Sequence, residues 1–309
     1  MMRILVSAYA CEPNAGSELG KGWKFPMELA RQGHRVTVLT CGSHHRQAIE
    51  AYRATAEIPP LLDFVWHDVP GRPGPGYDHA EGIRRHYYLW QMTARKRVAE
   101  LVKETPFDVI HHLTWTVLRW PSFLGGLGPR FVFGPVGGGQ DTPWALRRGF
   151  PRRGWKFESQ RDLGNLLGRF DPMVLRCLNH ADAILVTDEA TCRHVPPWWR
   201  HKTSVVAPYF APDASAVQND TAPRSTGTPS LLFAGRLEYW KGVQIALGAV
   251  AKLREQVPDL LFTIAGEGPE EGYLRDIAGK LGVADVVTFV GQVPFNEMHR
   301  LYSAHDIFV

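Results

Sequence analysis

The two residues best placed to do chemistry are Arg236 and Lys241, in the run Leu231-Leu-Phe-Ala-Gly235-Arg236-Leu-Glu-Tyr-Trp-Lys241-Gly242. A short apolar strand is expected to end at Gly235, with Arg236 at its carboxyl end and Lys241 where the next helix starts. Two cations beside a helix N-terminus suit a diphosphate. The first helical N–H groups carry partial positive charge, and a guanidinium pairs with phosphate oxygens two at a time. Gly235 lets backbone approach closely, and Gly242 keeps the helix entrance clear of side chain. A competing reading makes both cations solvated loop charges; spacing, glycine placement and strand context together favour the anion site. Gly266-Glu267-Gly268-Pro269 follows the next expected strand in the same way. In an open parallel sheet, ligands bind outside the carboxyl ends of strands. A dinucleotide site would want an acidic residue at the end of the strand after that. The strand instead ends in Gly291-Gln292, and Asp285 precedes it at the opposite end. The loop therefore reads as the lining of a nucleotide cleft and not as an NAD site.

A second glycine turn, Gly16-Ser-Glu-Leu-Gly20-Lys21-Gly22, follows the first expected strand and opens a helix. A nucleoside-triphosphate loop needs four residues between its glycines and a hydroxyl residue after the lysine. Here three residues intervene and Gly22 follows Lys21, so that reading fails. The dinucleotide fingerprint fails too, because Trp23, Lys24 and Phe25 come after Gly22. Two readings stay open: backbone N–H groups meeting an oxyanion at a helix N-terminus, or a tight turn with no ligand. His111 and His112 are adjacent on a strand, so they point to opposite faces and only one can face a cleft. No carboxylate pair reads as a hydrolase dyad.

These residues need a scaffold, and the chain supplies one. Short, often β-branched runs at 4–8, 36–40, 62–66, 109–112, 130–133 and 183–187 read as strands. Helical stretches at 18–32, 44–54, 87–104 and 171–180 lie between them. Residues 213–229 carry almost no large apolar side chain and read as a linker. A second series then alternates: strands at 230–234, 260–265, 286–290 and 306–309, with helices at 243–256, 270–281 and 296–303. Strand alternating with helix implies parallel sheets covered on both faces. The fold class is therefore α/β, with two doubly wound domains: 1–212, then the 213–229 linker, then an incomplete domain at 230–309. The last strand falls at the end of the chain with only about half a domain built, so a fragment of a longer protein is expected.

With 309 residues, 44% hydrophobic and 21% charged, the chain has the composition of a folded globular protein. A net charge of +4 is too small to argue for nucleic acid. The four cysteines, Cys11, Cys41, Cys177 and Cys192, include no C-x-x-C pair. Their spacing points away from zinc and from a disulfide framework, and toward free thiols in a reducing compartment. No run of about 18 apolar residues is present, and the N-terminal apolar run is too short for a signal peptide. A cytoplasmic protein is expected.

Taken in order, Phe233-Ala-Gly-Arg236…Lys241-Gly242, Ile264-Ala-Gly-Glu-Gly-Pro269, Val287-Thr-Phe-Val-Gly291 and Leu301-Tyr-Ser-Ala-His-Asp306 resemble the carboxyl-terminal domain of the family-4 (group 1) retaining glycosyltransferases. Pro13-Asn-Ala-Gly16-Ser-Glu18, Asp108-Val-Ile-His111 and Gly134-Pro-Val-Gly-Gly-Gly139 are similar, more loosely, to that family's amino-terminal half. The resemblance implies the GT-B fold, two Rossmann-like domains facing across a cleft. It implies sugar transfer from a nucleotide-sugar to a glycan or lipid-linked acceptor, with retention of configuration, as in bacterial surface polysaccharide synthesis. Arg236 and Lys241 would hold the diphosphate. Glu267, Gly268, Pro269, Gln292 and Val293 would approach the nucleoside, and Gly16 the donor phosphate or acceptor. His111 would hydrogen-bond sugar or acceptor, against the alternative of a satisfied buried histidine. No metal and no cofactor beyond the co-substrate are implied. The family's paired glutamates would fall beyond residue 309, so the piece alone is expected to be inactive. Leu113 also stands where many members carry a second histidine. A nucleotide-sugar epimerase and a non-catalytic nucleotide-sugar binder are the alternatives.

Trp115, Trp120 and Trp144 could stack on sugar faces or pack in a core. Two stretches, 84–97 and 147–156, are basic. The second interleaves Phe150 and Trp155 among its cations, which suits an anionic membrane surface or a solvated loop.

Overall fold

A computed structural model of the chain describes residues 1–71, 80–115, 117–206, 227–294 and 297–309, without the side chains of 80 and 81. The β-branched and aromatic runs form eleven strands among these residues. They are β1 (Arg3–Ala8), β2 (Arg35–Cys41), β3 (Leu62–His67), β4 (Val109–Thr114), β5 (Arg130–Val136), β6 (Ala183–Val186), β7 (Thr203–Val205), β8 (Ser230–Ala234), β9 (Leu261–Ala265), β10 (Val287–Gly291) and β11 (Ile307–Phe308). The helices are α1 (Ser17–Arg31), α2 (Gly42–Thr55), α3 (Ala80–Glu104), α4 (Trp144–Arg147), α5 (Arg152–Gly168), α6 (Pro172–His180), α7 (Glu189–His194), α8 (Val243–Leu253), α9 (Glu271–Lys280) and α10 (Met298–Ser303). Every strand pairing is parallel, in one sheet of order β3-β2-β1-β4-β5-β6-β7 and another of order β10-β9-β8-β11. The α/β expectation holds in both halves.

Helices cover both faces of the first sheet, so its central strands are buried on both sides and read as continuous apolar runs. Along β1, Leu5 packs with Ile110, Phe131 and Trp90 on one face. Its neighbours Ile4 and Val6 pack with Trp23, Val36 and Val38 on the other. The second sheet has its own core around Phe233, Leu247, Phe262, Ile264 and Leu274. Asp171 caps α6 by accepting from the N–H groups of Met173 and Val174, with Pro172 at the first helical position.

The residues form two units, Met1–Asp141 with Arg161–Phe210, and Thr142–Gln160 with Ala211–Val309. The division read from sequence kept 142–160 with the amino-terminal half. The structure groups that segment with the second unit because Tyr239 is buried against it. The Tyr239 ring meets Phe150 at 4.9 Å and Phe157 at 6.4 Å. Of the expected linker, 213–226 lies outside the described residues, as does Asn296 at the start of the expected last helix. No helix among the described residues is long and apolar enough to cross a membrane.

The strand orders decide where a ligand can sit. In the first sheet, connections run outward in opposite directions from β1 and β4; in the second, from β8 and β11. Such a reversal opens a crevice at the carboxyl ends of the two strands.

Candidate functional site

In the second unit the crevice is rimmed by the loop after β8, which carries Gly235, Arg236 and Lys241. Three loops that follow β8, β9 and β10 are laced together through backbone. Gly235 N–H donates to Ala265 O at 2.9 Å, Leu237 N–H to Glu267 O at 2.9 Å, and Gly266 N–H to Gly291 O at 2.7 Å. Glycine is required where these loops touch. A Cβ on Gly266 would lie 2.0 Å from Gly235 O, and one on Gly268 2.3 Å from Leu237 O. Arg236, Lys241, Glu267, Pro269 and Gln292 are exposed on this rim, while Gly235, Gly268 and Val293 are half-buried. Eight of the residues proposed for the donor thus lie at one carboxyl edge, while Gly16 belongs to the first unit. Arg236 Nε pairs with Glu238 Oε1 at 3.1 Å, which holds the guanidinium beside the strand end. Gly242 takes φ +78° between the short 3-10 turn Tyr239–Lys241 and α8. That left-handed step is open to glycine at little cost, and it starts α8 directly behind Lys241.

Beneath this rim lies a network that the sequence did not reveal. Tyr239 Oη donates to Glu158 Oε1 at 3.0 Å, and Arg147 Nη2 lies 3.4 Å from Glu158 Oε2. Both members of the ion pair are buried, and Arg147 also donates to Thr142 O at 2.9 Å. Arg147 is therefore an internal prop of the loop after β8 and not a solvated charge of the basic stretch. Arg148, Arg152, Arg153 and Lys156 do stay exposed. Trp144 is 71% exposed, with the Arg147 guanidinium 4.9 Å from its ring centre. Glu270 is also buried, and its N–H donates to Leu237 O at 3.2 Å. Burial raises its pKa, Arg153 opposes that shift, and Glu238 adds to it.

In the first unit the crevice lies between the loop after β1 and the end of β4. The loop folds back on α1, with Gly20 N–H donating to Gly16 O at 3.1 Å and Glu12 N–H to Leu19 O at 3.1 Å. Gly16 is the residue preceding the helix, and no side chain caps it. Asn14 and Ser17 adopt φ of +56° and +53°. Non-glycine residues held there cost about 1–3 kcal/mol each, and such strain gathers at functional loops. Gly22 sits flush against the loop, since a Cβ would fall 1.8 Å from Ala10 O. Lys21, discarded with the triphosphate motif, is buried and pairs with Glu18 Oε1 at 2.7 Å. A buried ammonium at a helix N-terminus was hidden by the failed motif around it.

His111 and His112 are both buried. His111 Nε2–H donates to Gly134 O at 2.7 Å, which fixes the tautomer with Nδ1 as acceptor. Burial lowers its pKa to about 4; the Gly134 bond opposes the shift and Lys21 adds to it. Burial likewise takes His112 to about 3. At neutral pH His111 is therefore a neutral imidazole. Trp115 and Trp120 pack on Tyr87 at 5.3 and 5.6 Å and are half-buried, whereas Trp144 is exposed. The Gly137–Gly139 loop borders a small pocket lined by Arg119, Asn165, Arg169 and His194. Asn165 links Gly138 O at 2.8 Å to the Arg119 guanidinium, also at 2.8 Å. Two guanidiniums at one pocket suit an anionic group. Cys11, Cys41 and Cys177 are buried free thiols, and burial raises their pKa values, those of Cys41 and Cys177 to about 12. None is a ready nucleophile.

Comparison with known proteins places these features. Residues 218–309 match the family described as Glycosyl transferases group 1. Over 81 residues the chain is 42% identical to a glycogen synthase of Mycobacterium tuberculosis, covering 26% of this chain and 20% of that protein. Over 120 residues it is 32% identical to a GDP-mannose-dependent alpha-(1-6)-phosphatidylinositol monomannoside mannosyltransferase of Mycolicibacterium smegmatis, covering 38% and 30%. The matched segments thus span a third or less of these relatives. The fold is similar to that of a sucrose-phosphate synthase from Thermosynechococcus elongatus, with TM-score 0.60 and 15% identity over all of this chain and 75% of the other. Both units are thus Rossmann-like, in agreement with a GT-B glycosyltransferase fold.

Proposed function

We propose that the chain belongs to a retaining glycosyltransferase that moves a sugar from a nucleotide-sugar to a hydroxyl of a glycan or lipid-linked acceptor, in bacterial surface polysaccharide synthesis. The observation that carries this reading is the placing of Arg236 and Lys241, both exposed, at the carboxyl end of β8 where the strand order reverses. The match of residues 218–309 to group 1 glycosyltransferases, and the mannosyl relative's named GDP-mannose donor, support the substrate class.

In this reading the bond from anomeric carbon to diphosphate breaks while the acceptor hydroxyl approaches from the same face. Negative charge grows on the departing diphosphate. Arg236, Lys241 and the N-terminus of α8 offset it, being fixed in place before the reaction begins. The glycine loops at 266–269 and 291–293 admit the nucleoside against backbone. Gly16 and the neutral His111 serve the acceptor side, His111 through its unprotonated Nδ1. The nucleotide-sugar is a co-substrate, and the transfer itself calls for no other cofactor. Work on the cytoplasmic face of a membrane would suit a lipid-linked acceptor, with Trp144 and the exposed cations of 148–156 toward anionic lipid. Vesicle pelleting that shows no dependence on anionic lipid would remove that feature.

The test measures turnover with a nucleotide-sugar donor and an acceptor. Losing one such charge-stabilising donor costs about 10²–10³ in rate, so Arg236→Ala and Lys241→Ala should each reduce turnover by that factor. Near-normal turnover in both removes the assignment. Sugar inverted at a ring carbon without any acceptor would show an epimerase instead.

A further inference from the structure

One sulfur and two imidazole donors from three separate elements converge in the first unit. Cys41 ends β2, His44 lies in the first turn of α2, and His86 comes from α3. Their ligand-type atoms all lie within 4.8 Å of one another, with Cys41 and His86 buried and His44 half-buried. We propose that Cys41, His44 and His86 form a binding site for one divalent transition-metal ion of the zinc class, which ties α3 to β2 and α2.

The chemistry of the donor set selects the ion. One thiol and two imidazoles suit zinc and its neighbours and do not suit magnesium or calcium, which take oxygen ligands. Bonds of about 2.0–2.3 Å in a tetrahedron put one sulfur and two nitrogens about 3.3–3.5 Å apart, so the cluster has to close by at most about 1.5 Å on binding. Its surroundings already orient the donors. Tyr9 Oη meets His86 Nδ1 at 2.8 Å, the kind of partner that fixes a ligating ring. Asp68 Oδ1 lies 3.5 Å from Cys41 Sγ and accepts from Ser43 N–H at 2.8 Å. Binding replaces the S–H bond with an S–metal bond and releases that proton to solvent. The thiolate offsets one positive charge of the ion, and the Asp68 carboxylate stands close enough to offset the second. Water or Asp68 completes the coordination. Cysteine spacing argued against zinc because it sees only cysteines; here the ligands are one cysteine and two histidines, brought together from a strand and two helices by the fold.

The purified chain is loaded with Co²⁺, or with Zn²⁺, and dialysed. The readouts are metal content by mass spectrometry and, for cobalt, the thiolate-to-metal charge-transfer absorption. The inference expects about one equivalent per chain and a thiolate band. Cys41→Ser should remove the band and weaken binding at least tenfold, whereas Cys177→Ser, a buried thiol elsewhere, should change neither. Tyr9→Phe should weaken binding about tenfold while leaving the band. Circular dichroism of each variant shows whether it is folded. Should Cys41→Ser fail to fold, chelation of the wild-type chain is the second measurement, and it should lower the melting temperature. No retained metal, metal retained with no thiolate band, a band that survives Cys41→Ser, or a melting temperature indifferent to chelator would each overturn the site. None of these readouts involves sugar transfer.

Discussion

Tyr239→Phe isolates one hydrogen bond beneath the loop that carries Arg236 and Lys241. The substitution keeps the ring against Phe150 and Phe157 and removes only the hydroxyl that donates to Glu158 at 3.0 Å. A hydrogen bond to a charged acceptor is worth about 1.5–3 kcal/mol. Glu158 is fully buried, so its carboxylate recovers little from solvent when that donor goes. Tyr239 begins the 3-10 turn that ends at Lys241, so the loss falls on local opening of that loop. At about 1.4 kcal/mol per factor of ten, amide exchange in peptides covering 236–242 should accelerate about 10–100-fold. Exchange in β1 and β4, which lie in the other unit, should not move. Hydrogen–deuterium exchange by mass spectrometry reads both regions in one experiment. Unchanged exchange at 236–242 would refute the idea that the buried Glu158 network braces the cationic loop.

Two further outcomes follow from the same geometry. Gly22→Ala places a methyl 1.8 Å from Ala10 O, a clash with backbone that no rotamer relieves. It should cost several kcal/mol, at the upper end for single substitutions, and thermal unfolding of the purified protein reads the loss. Acid should also unfold the first unit. His111 stays neutral in the fold down to about pH 4, while in the unfolded chain it protonates below about 6.5. The unfolded state therefore binds more protons between those values. The stability is full above pH 6.5 and falls as pH drops, by about 2 kcal/mol at pH 5 for this imidazole. Urea titrations at pH 7 and pH 5 should show that slope, and His111→Asn should reduce it by about half, because buried His112, taken to about 3, contributes a similar share.

How much of this was legible in the sequence varies by element for physical reasons. Strands such as β1 and β8 were plain because burial on both faces demands an unbroken apolar run, and β8 was read to the residue at 230–234. Helix α5 was missed because its cations, glycines and scattered apolar residues form no single stripe; Leu163, Leu166 and Leu167 are themselves exposed. β7 spans three residues, too few for any alternation to show. At the candidate sites, spacing along one loop was readable, so Arg236, Lys241 and the glycine loops could be assigned to strand ends from sequence. Residues joined by the fold were not. Glu158 reaches Tyr239 across 81 positions and His86 reaches Tyr9 across 77, distances over which a sequence carries no periodic signal. Orientation was also out of reach: the sequence showed that His111 and His112 face opposite ways, and only the structure shows both buried.

The most direct test of the cationic pair is calorimetric titration of the chain with UDP and with GDP, for the wild type and for Arg236→Ala, Lys241→Ala and the double variant. Charge-assisted contacts worth about 1.5–3 kcal/mol each should make either single variant about 10–100-fold weaker for the nucleotide that binds. The double variant should be weaker still, with a flatter dependence on salt. Wild-type affinity in a folded double variant, or no binding of either diphosphate to the wild type, would contradict the account.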